Sequence, residues 1–135
     1  MTLLIDASVW SQLAAPGDRT HHQARGLLVD SRATLAALDL TLYEVANAVG
    51  VKMGQPRRAQ RLSELVEVRC ADRLVRVDSD LVAAAVEVAA EHSLTAYDAT
   101  YVAAARRNGW QLVSLDMRDL VSRGLAVTPD AALYP

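Results

Sequence analysis

Four acidic residues interrupt apolar stretches of this 135-residue chain. They are Asp6, Glu44, Asp98 and Asp116, and each lies where its neighbours predict a buried strand end or helix. Carboxylates are rarely buried unless they are paired or bind a cation. Several carboxylates in one site would repel one another, so a shared site predicts a hard divalent cation between them.

Two of these acids also have an ordinary structural explanation when they are taken alone. Asp6 could cap the short helical turn that begins at Ser8. Asp116 could cap a helix predicted over residues 118–123, and Asp119 competes with Asp116 for either role.

The other two acids are harder to explain as structural residues. Glu44 lies on a largely apolar predicted helix, where a buried salt bridge to an arginine would be the alternative. Asp98 stands beside Tyr97 on a helix otherwise rich in alanine and valine. A chance coincidence of all four acids is less probable than any single structural explanation, so we expect one shared acidic site.

Carboxylates with no histidine or cysteine nearby form an oxygen-only ligand set, which favours Mg²⁺ or Mn²⁺ over zinc. Such a site can polarise a phosphate oxygen and lower the pKa of a bound water, so phosphodiester hydrolysis is the natural reaction. Without metal, at least one carboxyl group of the cluster should have a raised pKa.

Polar neighbours of the acids could support this chemistry. Asn47 follows Glu44 by about one helical turn and could hydrogen-bond a metal-bound water or a substrate phosphate. Ser8 and Ser114 could orient Asp6 and Asp116 as hydrogen-bond donors.

The sequence lacks the residues that other classes of functional site require. The chain has no GxxxxGK[ST] loop and no GxSxG turn. Cys70 is the only cysteine, which excludes an internal disulfide and predicts a reducing, cytoplasmic location. The net charge of −2 does not itself indicate nucleic-acid binding, although arginines cluster at 57–61, 69–76 and 106–107. No apolar run is long enough to predict a membrane span.

The predicted elements bring the acids together. The strands expected from short apolar runs are 2–5, 34–38, 74–77, 111–115 and 126–128. The helices expected from spacing and capping residues are 8–13, 21–29, 42–53 with Thr41 as N-cap, 56–66, 80–92 capped by Asp78 or Ser79, 97–107 capped by Thr95, and 118–123, with a tail from Pro129.

Short strands that alternate with helices predict one α/β domain over residues 1–135, with a mostly parallel sheet between two helical layers. Ligands bind such sheets beyond the carboxyl ends of the strands. Asp6 and Asp116 fall at strand ends and Glu44 and Asp98 in first turns of helices, so all four can reach one cleft.

Four segments together resemble the PIN-domain nucleases, and most closely the VapC toxins of type II toxin–antitoxin pairs. They are Ile5-Asp6-Ala7-Ser8, Tyr43-Glu44-Val45-Ala46-Asn47-Ala48, Leu94 to Tyr101, and Leu112-Val113-Ser114-Leu115-Asp116. The Tyr-Asp-Ala-Thr-Tyr segment and the later Ser-x-Asp are quite specific together. Ser114 stands where the family often has threonine, which keeps the hydroxyl group.

The resemblance implies a PIN-like three-layer α/β/α fold and a Mg²⁺-dependent endoribonuclease, with Mn²⁺ as a substitute. It implies metal contacts at Asp6 and Asp98, with Glu44 and Asp116 completing the catalytic acids. It also implies a small cognate antitoxin as inhibitor, and homodimers.

Three alternatives remain at the sequence level. A structure-specific DNA nuclease could use the same cleft. A catalytically silent PIN-like binding module is disfavoured by the intact set of acids. A phospho-aspartate receiver or phosphatase needs a lysine near the acids, and Lys52 is poorly placed for that role in the predicted elements.

Overall fold

The computed structural model describes residues 1–135 and contains one four-stranded sheet. Its strands are β1 (Leu3–Ile5), β2 (Leu35–Leu38), β3 (Leu74–Val75) and β4 (Gln111–Val113). All pairings are parallel and the spatial order is β3-β2-β1-β4. The predicted parallel α/β sheet is therefore confirmed, and the central strands β1 and β2 consist of fully buried residues.

Seven α-helices surround the sheet. They are α1 (Ala7–Ser11), α2 (Arg19–Arg25), α3 (Asp39–Val45), α4 (Pro56–Cys70), α5 (Ser79–His92), α6 (Ala96–Asn108) and α7 (Pro129–Leu133). Helices α2 and α3 continue into wider π-type turns over Gly26–Asp30 and Ala46–Lys52, and a third such turn covers Met117–Val121.

The helices form two layers, because successive strand residues point to opposite faces of the sheet. Leu3 and Ile5 of β1 belong to one hydrophobic core, which is closed by α1 to α4. Leu4 belongs to a second core, which is closed by α5 and α6. The three-layer α/β/α arrangement predicted from the sequence is thus present.

The helix that carries Glu44 begins earlier than predicted. We expected Thr41 to be the N-cap, but α3 begins at Asp39 and Thr41 is fully buried inside its first turn. The Thr41 hydroxyl accepts the Leu38 backbone N–H at 3.2 Å, so it satisfies the group just before the helix instead of capping the next turn. Helix α4 also runs past Val66 to Cys70, because both side chains are buried on the same helical face.

The C-terminal segment differs most from the prediction. The strand expected over 126–128 is reduced to one parallel bridge between Val113 and Val127. The expected tail contains helix α7, whose start follows from local chemistry. Thr128 Oγ1 accepts the Ala131 N–H at 3.3 Å, and Pro129 occupies the first helical position, where its missing N–H costs nothing. No helix in the molecule has the length and apolar character needed to cross a membrane.

Candidate active site

The predicted acids come together at the carboxyl-end edge of the sheet. Asp6 directly follows β1, and Asp116 lies three residues after β4, which is the neighbour of β1. Glu44 is carried by α3 and Asp98 by the first turn of α6. Burial is the main cause that raises the pKa of Asp98 and of Glu44, and the charges of Asp116 on Asp98 and of Asp98 on Glu44 add to it, so these groups act on one another across the cleft.

The closest group of carboxylates consists of Asp98, Asp116 and Asp119. One oxygen of each lies within 4.8 Å of the others, and all three side chains are partly buried. Two local hydrogen bonds build this group: Asp116 Oδ1 accepts the Asp119 N–H at 3.0 Å, and Thr95 Oγ1 accepts the Asp98 N–H at 3.2 Å. The sequence suggested Asp116 and Asp119 as alternatives for one role, but in the structure both belong to this group.

Asp6 forms the buried base of the site, with only 5% of its surface exposed. Its Oδ1 accepts the Ser8 hydroxyl at 2.5 Å and the Ser8 N–H at 3.1 Å, and its Oδ2 accepts the Ser114 hydroxyl at 2.5 Å. The Ser114 oxygen in turn accepts the Asp116 N–H at 2.9 Å. Ser8 therefore donates to Asp6 as expected. Ser114 also donates to Asp6 and not to the Asp116 carboxylate, and it contacts Asp116 only as the acceptor of its N–H, so it connects Asp6 to the Asp116 turn.

Glu44 is held by a residue that the sequence analysis did not select. Its Oε1 accepts the Tyr101 hydroxyl at 2.7 Å, and the Tyr101 oxygen lies 2.7 Å from Thr41 Oγ1. The structure contains no salt bridge to Glu44, so the alternative of a structural partner arginine is wrong. One signal was available: Tyr101 lies three residues after Asp98, on the adjacent part of the same helix face.

Burial raises the pKa of three of these acids, and repulsion from neighbouring carboxylates adds to it for Asp98 and Glu44. Burial raises the pKa of Asp6 to about 6, although the bonds from Ser114 and Ser8 pull it down. Burial also raises the pKa of Asp98, and the charges of Asp116 and Asp119 add to it. Burial raises the pKa of Glu44, against the hydrogen bond from Tyr101. A cation near this cluster would reverse these repulsions.

This donor set fits a hard divalent cation. The closely spaced group supplies carboxylate oxygens only, and it includes no histidine or cysteine. Asp98, Asp116 and Asp119 have the spacing to share one ion. Asp6 lies outside that closest group, and both of its oxygens already accept serine hydrogen bonds.

Two open pockets meet at Glu44 and Asn47, which line both of them. One pocket, of about 380 Å³, is completed by Leu40, Tyr43 and Tyr97. The other, of similar volume, is polar, and its lining includes Ser8, Ser11, Gln12 and Lys52. Asn47 therefore lies beside Glu44 as predicted, and the single lysine of the chain lines the same pocket as both of them. Two larger pockets, of about 530 Å³ each, lie elsewhere and contain none of the predicted site residues.

Several other polar residues have structural roles. Arg69 on α4 and Arg73 just after it donate from Nε to the carbonyl oxygens of Leu28 and Leu35, each at 2.8 Å, so part of the predicted arginine cluster ties the end of α4 to the turn after α2 and to β2. Cys70 is buried, and burial raises its pKa to about 11, which makes it a poor nucleophile at neutral pH.

Comparison with known proteins decides the family. The family model for the PIN domain matches residues 3–122. This chain belongs to the PIN-domain family. It is 32% identical over 133 residues to Ribonuclease VapC3 of Pyrobaculum aerophilum, and the match covers 96% of this chain and 100% of that protein.

Solved structures agree with this family. PAE2754 of Pyrobaculum aerophilum superposes with a TM-score of 0.70 at 29% identity, covering 99% of this chain and 96% of that one. A toxin–antitoxin complex from Klebsiella pneumoniae gives a TM-score of 0.71 at 20% identity, covering 94% and 97% of the two chains. VapC20 of Mycobacterium tuberculosis, a toxin that cleaves the sarcin–ricin loop, gives 0.71 at 23% identity, covering 90% and 95%. The resemblance to VapC-like PIN domains found in the sequence is therefore confirmed.

Proposed function

We propose that this PIN-domain protein is a divalent-metal-dependent endoribonuclease and the toxin of a type II toxin–antitoxin pair. The observation that carries the proposal is the convergence of Asp98, Asp116 and Asp119 within 4.8 Å at the end of a parallel sheet, next to Asp6 and Glu44. A relative that matches nearly the whole chain at 32% identity is a ribonuclease.

Asp6 and Asp98 remain the proposed metal contacts, and Asp116 and Asp119, which group with Asp98, would add further carboxylate oxygens. Mg²⁺ is the proposed ion, with Mn²⁺ as a substitute, because both favour carboxylate oxygens. A cation bound there polarises a phosphate oxygen and lowers the pKa of a bound water. The proposed catalytic acids remain Asp6, Glu44, Asp98 and Asp116.

The protein's own groups contribute orientation and proton handling. Ser8 and Ser114 fix both oxygens of Asp6, so this carboxylate cannot rotate away from the cleft. Glu44 has a raised pKa, and no protein group donates to its Oε2, so it can take up a proton at that oxygen. The Asn47 amide lines the same pocket and can donate to a phosphate oxygen.

RNA is the proposed substrate. The acids repel a polyanion, and Lys52 in the pocket with Glu44 and Asn47 supplies a positive charge for a backbone phosphate close to the cleft. The exposed arginines Arg57, Arg58 and Arg61 begin helix α4, which follows Lys52 in the chain.

Two protein partners complete the proposal. A small antitoxin would insert an arginine or lysine among the carboxylates and fill the adjoining groove with apolar residues, with residues 54–59 as one wall. A second copy of this chain would form a homodimer. Tyr43 and Tyr97 support this, because they are 77% and 62% exposed in the pocket beside Glu44 and leave ring surface available for burial.

The decisive experiment is cleavage of RNA by the purified chain. We expect cleavage with Mg²⁺ or Mn²⁺, loss of cleavage in EDTA and recovery when Mg²⁺ is restored. Asp98→Asn should lower the rate by orders of magnitude while the protein stays folded, because it removes one negative ligand at constant size. Strong cleavage in EDTA would contradict the proposed site.

Parallel substrates separate the alternatives. Preferential cleavage of branched or single-stranded DNA would favour the DNA nuclease. Mg²⁺ binding without cleavage of any RNA or DNA would favour a silent binding module. Sedimentation of the free chain tests the homodimer independently of activity.

A further inference from the structure

A one-way chain of hydrogen bonds runs from the end of β2 to Glu44. The Leu38 N–H donates to Thr41 Oγ1 at 3.2 Å, Thr41 Oγ1 lies 2.7 Å from Tyr101 Oη, and Tyr101 Oη lies 2.7 Å from Glu44 Oε1. Thr41 is fully buried and Tyr101 is 1% exposed, so water does not compete along this path.

The chemistry of its two ends fixes the direction of the chain. A backbone N–H can only donate, so the Thr41 oxygen is the acceptor at one end. A carboxylate can only accept, so the Tyr101 proton points to Glu44 at the other end. The Tyr101 oxygen is then an acceptor, and the Thr41 hydroxyl donates to it. Each donor polarises the next one in a buried chain, which strengthens the last bond.

Glu44 depends on this chain for its orientation. Tyr101 is the only hydrogen-bond donor to Glu44 in the structure, and no arginine or lysine pairs with it. The carboxylate is also repelled by Asp98. A flexible glutamate in that field would turn toward solvent unless one oxygen were fixed.

The Tyr101 ring and the Tyr101 hydroxyl have separate tasks. The ring belongs to the core between the sheet and helices α5 and α6. The hydroxyl reaches across to α3, which lies in the opposite core, so it connects the two helical layers at the site. Removing the hydroxyl alone therefore tests its role without removing the packing.

We infer that Tyr101 is a positioning residue, oriented by Thr41, that fixes Glu44 by Oε1 and leaves Oε2 directed to the reaction in the cleft. This inference rests on the proposed nuclease function. It assigns a role to the second tyrosine of the Tyr-Asp-Ala-Thr-Tyr segment, while Asp98 in the same segment belongs to the acid cluster.

The kinetic test compares Tyr101→Phe, Thr41→Val and Thr41→Ser with the wild type in Mg²⁺. A hydrogen bond to a charged group is worth about 1.5–3 kcal/mol, so Tyr101→Phe should lower kcat about 10- to 100-fold with little change in KM. Thr41→Val should lower kcat less, and Thr41→Ser, which keeps the hydroxyl, should restore it. Wild-type kcat in both Tyr101→Phe and Thr41→Val would overturn the inference. If Tyr101→Phe fails to fold, the Val and Ser variants of Thr41 decide it.

A spectroscopic test does not depend on cleavage. In protein labelled with ¹³C at the glutamate carboxyl carbon, the Glu44 signal is identified by its loss in Glu44→Gln. Tyr101→Phe and Thr41→Val should each move this signal away from its wild-type position. Thr41→Ser should leave the signal at that position. An unchanged Glu44 signal in Tyr101→Phe would show that the bond does not exist. Absence of cleavage by the wild type, with the expected shift present, would count against the proposed function and leave the positioning contact standing.

Discussion

Asp6 is an acid whose burial is only partly compensated. Three hydrogen bonds from two serines hold its oxygens, yet burial still raises its pKa to about 6. The bonds orient the carboxylate, but they do not supply the positive charge that a buried anion needs. In the metal-free protein, Asp6 therefore favours its protonated form. The pH dependence of the free energy of unfolding without metal thus tests this description of the site.

We expect the metal-free protein to become more stable as the pH falls from 7.5 to 5. The folded-state pKa of Asp6 is raised above its ordinary value of 3.8. The contribution of this group is therefore fully present below 3.8 and is lost as the pH rises through about 6. By pH 5 the gain should be roughly 1 kcal/mol in the free energy of unfolding. Urea unfolding in EDTA at the two pH values measures it.

Asp6→Asn is the matched variant, because the amide keeps the size and lacks the charge. It should be at least as stable as the wild type at pH 7.5 in EDTA, and its stability should lose this part of the pH dependence. The other raised groups, Glu44 and Asp98, act in the same direction, so only the difference between the two proteins reports Asp6. A variant that is less stable at both pH values would show that Asp6 is a structural anion.

Some residues of the site could be predicted from the sequence and others could not. Asp6 and Asp98 are conspicuous because an acid in an apolar segment violates a strong rule. Tyr101 violates none, since a tyrosine in a buried helix is ordinary packing. Its hydroxyl bond to Glu44 joins residues 57 positions apart, and periodicity carries no information about such a contact.

At the scale of elements, capping residues fix where the site's helices begin. Thr95 and Asp78 cap α6 and α5 as predicted, because both are polar residues that precede an apolar periodic segment. Helix α3 has no polar residue at its N-cap, Leu38, and the sequence rules therefore moved its start to Thr41. In place of a side-chain cap, the hydroxyl of Thr41, the third residue of the helix, accepts the N–H of Leu38. This contact depends on the buried position of Thr41, which only the packed structure provides.

The cap of α6 has a direct consequence for the metal ligand Asp98 proposed above. Thr95 Oγ1 accepts the N–H of Asp98 itself, so losing the cap should loosen the turn that carries this carboxylate. Thr95→Ala should cost about 1 kcal/mol of stability and raise the Mg²⁺ concentration needed for half-maximal cleavage. Thr95→Ser, which keeps the hydroxyl, is the control. Equal urea midpoints for wild type and Thr95→Ala would contradict the capping role.

Elements that depend on long-range contacts were predicted least well. The strand expected over 126–128 has only β4 as a partner, and it forms a single bridge at Val127. The wide turns over Ala46–Lys52 continue α3 without a cap or proline to mark the change. Gly50 lies in these turns, and a Cβ there would come within 3.2 Å of Ala59 on α4, so close helix packing decides this region.

At the scale of the whole molecule, positive and negative side chains lie in different places and have different roles. Arg69 and Arg73 are used inside the fold, where they satisfy backbone carbonyls. The proposed site concentrates five acids at one edge of the sheet, although the net charge is only −2. The negative charge of such a cleft attracts any positive group that fits it, whether a metal ion or a side chain of a partner. One basic residue of a bound antitoxin could therefore displace the metal and stop cleavage.

The concentration of acids at the proposed site leads to a prediction for the growth of a host cell. Expression of the chain alone should arrest growth of a bacterial host, because an uninhibited endoribonuclease destroys RNA that translation needs. Asp6→Ala should relieve the arrest, and since the buried Asp6 charge is unfavourable without metal, the variant should stay folded at neutral pH. Glu64→Ala, which removes an exposed acid on α4, is the control and should remain toxic. Colony counts after induction, with soluble protein verified for each variant, measure the effect. Equal growth with wild type and Asp6→Ala would remove the toxin assignment, while the cleavage assay would still decide whether the chain is a nuclease.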